Sequence, residues 1–90
     1  MSILVKFAVT GMSSDKYETV LARLEEAGAG APPGRLYHVS FGSPDGLQVI
    51  DVYDSPESFD SFGRSLVPIV QDMGIQVVPE VHEAYKIIEG

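Results

Sequence analysis

Two histidines and one carboxylate carry most of the chemistry that this sequence offers. His38 and His82 are the only histidines, and each falls in an alternating stretch that reads as a strand. A strand histidine is usually a hydrogen-bonded packing residue, but it is also the side chain best suited to move protons near neutral pH. Asp51 interrupts the apolar run Val49-Ile50-Asp51-Val52-Tyr53. A carboxylate buried there must be paired, hydrogen-bonded or neutral. Its partner could be Arg35, a tyrosine hydroxyl or a second copy of the chain; otherwise it is a pocket acid or base. Glu80 and His82 share a strand face by their two-residue spacing, yet two ligands do not make a metal site.

Whether His38 meets Asp51 depends on the turn between their strands. A three-residue loop, Pro44-Asp45-Gly46, would set Val39 opposite Asp51 and send His38 to the other face. A four-residue connection, Ser43 to Gly46, would set His38 opposite Asp51. One residue of register decides between them, and the turn chemistry favours the first.

Other groups read as structural. Asp54 and Glu57 are placed to favour the start of a helix. Tyr37, Tyr53 and Tyr85 are expected in the core or at an interface, each with its hydroxyl near water. The chain has no cysteine, no glycine-rich phosphate loop and no Gly-x-Ser-x-Gly elbow, which excludes thiol, P-loop and serine-hydrolase chemistry of the common kinds.

The elements that must position these residues follow from periodicity. Ile3 to Val9 alternates as a strand. After Gly11, Ser13 or Ser14 caps a helix over Asp15 to Ala27, with Tyr17, Val20, Leu21, Leu24 and Ala27 on one stripe. Gly28 to Gly34 is a loop. Arg35 to Phe41 and Leu47 to Tyr53 form a hairpin across Ser43-Pro44-Asp45-Gly46. Ser55-Pro56-Glu57 opens a second helix with Phe59, Phe62, Leu66, Ile69 or Val70, and Met73 on its stripe. Pro68 is expected to bend or split that helix near Arg64 to Leu66 and to open space beside Phe62. Ile75 to Val78 and Val81 to Ile88 are extended, and Pro79 marks an edge strand or a break.

The order strand, helix, strand, strand, helix, strand predicts an α+β, ferredoxin-like split βαβ fold. Two helices would cover one face of a four-stranded antiparallel sheet. Apolar residues on both strand faces (Leu4 and Ala8 against Val5 and Phe7) predict that the second face is also covered, by another copy of the chain. A pocket between sheet and helices would draw on His38, Asp51, Tyr53, Phe59 and Phe62, with His82 as a further candidate.

Ninety residues make one domain, spanning residues 1–90, whose core alone is marginal. The net charge of −7 falls wholly after Arg35, where two basic residues face nine acidic ones. Nucleic-acid phosphate would be repelled. No apolar run reaches the ~20 residues of a membrane span, and no secretory signal is visible, so a cytoplasmic location is expected.

Several of these residues also carry a resemblance. His38-Val39, Asp45-Gly46-Leu47, Val49 to Ser55, Glu57-Ser58-Phe59, Phe62, Leu66-Val67-Pro68 and Pro79-Glu80-Val81-His82 resemble the antibiotic-biosynthesis-monooxygenase-like proteins of the dimeric α/β-barrel superfamily. The resemblance implies a homodimer and a pocket for an apolar or aromatic small molecule, without a cofactor. Characterised family enzymes oxygenate polyketide-type aromatics or break down haem, and lean on a tryptophan and an asparagine. This chain has neither, and Tyr53 stands where many relatives have an aromatic.

Overall fold

The computed structural model covers Met1 to Gly90. Its elements are β1 (Ile3–Thr10), α1 (Ser14–Glu26), β2 (Arg35–Ser43), β3 (Gly46–Tyr53), α2 (Pro56–Asp72) and β4 (Gln76–Glu83). The strands form one antiparallel sheet in the order β2-β3-β1-β4. This is the ferredoxin-like arrangement that the element order predicts.

Both helices start where side chains can satisfy free backbone donors. The Ser13 hydroxyl accepts from the Lys16 N–H, and the Ser55 hydroxyl accepts from the Ser58 N–H. The two helices pack on the sheet face that carries Ile3, Val5 and Phe7 of β1 and Val49 and Tyr53 of β3. Val20 and Leu24 of α1 and Phe62, Ile69 and Val70 of α2 complete the core.

The hairpin is tighter than its turn residues suggest. Ser43 pairs with Gly46, so only Pro44 and Asp45 bridge the strands. His38 therefore lies opposite Asp51, and the register favoured by the turn chemistry is corrected. Two longer contacts hold this turn. The Ser14 N–H donates to the Pro44 carbonyl, and the Leu47 N–H donates to the Met12 carbonyl. The left-handed conformation falls at Gly42, with φ of 107°, where a Cβ would come within 2.9 Å of the Gly46 carbonyl oxygen.

α2 runs unbroken through Pro68, contrary to a split there. Pro68 and Arg64 both lie on the exposed side of the helix, where the Arg64 carbonyl left without a donor can turn to water. β4 is likewise one strand, with Pro79 paired to Phe7 on the sheet edge. Its pattern ends at Glu83. Beyond it the Ala84 N–H donates to the Ser2 carbonyl, and the tail returns to place Glu89 beside Tyr37 of β2. No helix is long and apolar enough to cross a membrane.

Candidate functional site

Register sets the site. His38 and Asp51 are cross-strand neighbours at the middle of the helix-covered face, in one row with Val5. Asp51 is 1% exposed and cannot be left unpaired. Its Oδ1 lies 2.5 Å from His38 Nδ1, and its Oδ2 accepts from the Tyr53 hydroxyl at 2.7 Å. An ionised carboxylate accepts only, so the histidine carries its proton on Nδ1. When the ring is neutral, Nε2 is left free to accept, and the Tyr17 hydroxyl lies 2.7 Å away.

The result is a continuous chain of hydrogen bonds, Tyr17–His38–Asp51–Tyr53. It links the first turns of α1 to the centre of the sheet. Asp51 finds a tyrosine hydroxyl and His38 as partners, and Arg35 makes no ion pair with it. Tyr53 is wholly buried, and burial first, then the Asp51 charge, push its hydroxyl above the ordinary tyrosine range. It remains protonated and serves as a fixed donor. No buried side-chain nitrogen or oxygen lacks a partner.

The exposed end of this chain borders a cavity of about 40 Å³ between sheet and helices. Its wall is almost wholly apolar, with side chains that include Phe7, Leu24, Phe62 and Val70, and Tyr17, His38, Asp51 and Arg35 lie at its edge. An apolar cavity that takes up benzene is several times larger, on the order of 150 Å³. This one admits a short or branched chain. A ring system would require α1 and α2 to part.

The six residues singled out in the sequence divide into three groups. His38, Asp51 and Phe62 border the cavity. Tyr53 and Phe59 pack behind it, with ring centroids 5.4 Å apart, so neither borders it as expected. The interdigitated core fills that space. His82 lies on the opposite sheet face, opposite Leu4, and is exposed with Nε2 2.8 Å from Glu80. The even spacing that joins it to Glu80 turns both away from the helices.

Tyr17 and Arg35 were not among the pocket candidates. Tyr17 reads in sequence as one position of a helical stripe. A tyrosine on a core stripe must find a partner for its hydroxyl, and that requirement is the signal. Arg35 is brought inward by an irregularity in β2, where Arg35 pairs with Tyr53 and Tyr37 already with Val52.

No protein-family model matches the chain, and no curated protein does. Solved structures do. SnoaB, a cofactor-independent oxygenase from Streptomyces nogalater, is 19% identical, with a TM-score of 0.61 over 99% of this chain and 96% of that one. Rv0793 from Mycobacterium tuberculosis is 14% identical, with a TM-score of 0.67 over 99% and 100%. A candidate antibiotic biosynthesis monooxygenase from Caulobacter crescentus is 20% identical, with a TM-score of 0.67 over 94% and 91%. The structure is thus similar to monooxygenase-like proteins along nearly its whole length. At these identities the likeness establishes the fold.

Proposed function

We propose that this protein binds an apolar small molecule in the cavity between sheet and helices and acts on it by proton transfer. The observation that carries this reading is the hydrogen-bond chain on the cavity wall. Asp51 fixes the ring of His38, and His38 Nε2 can accept the proton of Tyr17, which borders the cavity. Such an arrangement moves a proton to or from a bound molecule without an organic cofactor. SnoaB is a cofactor-independent oxygenase on the same fold, which supports monooxygenase-like chemistry here, in which the deprotonated substrate gives its electrons to dioxygen, keeps one oxygen atom and releases the other as water.

The protein acts as a homodimer in this reading. The sheet face away from the helices exposes Tyr37, Val39, Phe41 and Val78. Only 15 of 90 residues are buried, so a single chain has little core to spare. A second copy packed on this face would supply the missing burial. A second reading, a non-catalytic dimeric ligand-binding or assembly module, is favoured by the small cavity volume.

The test is titration with isobutanol, followed by saturation transfer from cavity methyl groups. Wild type is expected to bind, and His38→Ala and Asp51→Asn to bind differently while staying folded. Effects confined to melting temperature would overturn the reading.

A further inference from the structure

A second concavity lies outside the site described above, between α2 and the start of β4. Spacings of three and four residues put Phe59, Gly63, Leu66 and Val70 of α2 along one side of it, and Phe7 and Val77 of the sheet lie across from them. Its volume is about 410 Å³, against about 40 Å³ for the internal cavity. Phe7, Leu66, Val70 and Val77 border both and divide one from the other.

Gly63 is the residue of this groove that the fold itself does not explain. A glycine in the middle of a helix weakens it relative to alanine. The φ of Gly63 is not positive, and a Cβ placed on it would meet no atom within 4 Å. Neither the backbone nor the packing of the chain therefore calls for glycine. What the missing side chain does is keep the middle of the groove clear.

The groove also lacks charge. The chain has thirteen acidic and six basic residues, and none of them borders it. Its polar side chains are the amides of Gln71 and Gln76, together at the end where α2 passes into β4. From Phe59 to Gln71 the helix rises about 18 Å, at about 1.5 Å per residue.

We infer that this groove binds an uncharged long-chain aliphatic molecule of the fatty-alcohol type, its chain lying along α2 over Gly63 and its head at Gln71 and Gln76. The volume falls within the roughly 300–1,000 Å³ of small-molecule sites. An amide both donates and accepts, which suits a hydroxyl. An ionised fatty acid would give up water around its carboxylate with no cation nearby to replace it. The proposed dimer uses the opposite sheet face and leaves this groove to a ligand. The inference does not rest on the reading of the internal cavity.

The test is NMR titration of the whole protein with 1-octanol and with octanoate, in wild type and in Gly63→Leu. Wild type is expected to bind 1-octanol, with the largest shifts at Gly63 and Leu66, and to bind it about tenfold or more tightly than octanoate. Gly63→Leu should weaken 1-octanol binding by about tenfold or more and raise the melting temperature, since leucine is the better helix former. Gly63→Ala adds one carbon in open space; it should act in the same two directions and serves if leucine disturbs the fold. No 1-octanol binding, octanoate binding as tightly, or unchanged 1-octanol affinity in both variants overturns the inference. Unchanged affinity with an altered sedimentation coefficient in Gly63→Leu assigns the groove to a second copy of the chain and overturns it as well. The isobutanol titration of the internal cavity fails or succeeds separately.

Discussion

At the residue scale, the Asp51 carboxylate governs the interior. Its burial is tolerated because two donors reach it, one per oxygen. Tyr53→Phe removes one donor and leaves Oδ2 unsatisfied, at a cost of about 1–3 kcal/mol. The same substitution should change the response to alkali. The folded state holds the Tyr53 proton more tightly than the unfolded chain does. Its contribution is therefore complete below about pH 10 and is lost as pH rises beyond it. Urea titrations at neutral and alkaline pH should show a steeper alkaline loss in wild type than in Tyr53→Phe; equal slopes would refute the buried-donor role. The sequence showed that Asp51 needed a partner. It did not show which, because Tyr17 and Arg35 reach the site only through the crossing of α1 and the irregularity in β2.

At the scale of elements, caps and turns decide how the site is framed. Both helices, their serine caps and the edge position of β4 were legible in the spacing of apolar residues and of serine, proline and glycine. The hairpin register was not, because contacts from the β1–α1 connection hold the turn, and local turn chemistry carries no record of them. The split that Pro68 allows is absent for a related reason, since a proline on the exposed side of a long helix can be accommodated by water. Gly34 shows the opposite case. Its φ is 85°, and an added Cβ would come 2.2 Å from Ser58 Oγ and 2.5 Å from Asp54 Oδ1. Those two groups bond each other at the start of α2. Gly34→Ala should therefore cost more than about 1 kcal/mol and lower the melting temperature by several degrees. An unchanged melting temperature would show that the α2 start adapts freely.

For the whole molecule, the unanswered surface is the outer sheet face. Apolar residues on both faces were legible from alternation alone. The path of the tail was not, and it bears on the proposed dimer. Residues after Glu83 return across the chain's own outer face, where the Glu89 carboxylate beside the Tyr37 hydroxyl raises that phenol's pKa. Val39, at the middle of β2, and Phe41, nearer its end, are exposed. Placing a charge there by Val39→Glu should weaken the dimer and lower its concentration-dependent melting temperature. Sedimentation of wild type as a folded monomer at micromolar concentration would contradict the dimer outright.

The central claim is that the Tyr17–His38–Asp51 chain serves a ligand, beyond bracing the core. Isobutanol titration of Tyr17→Phe tests it most directly, because Tyr17 is half-buried and its hydroxyl ends the chain at the cavity. The account predicts altered isobutanol affinity in Tyr17→Phe with a melting temperature close to wild type. Unchanged affinity with a lowered melting temperature would contradict it.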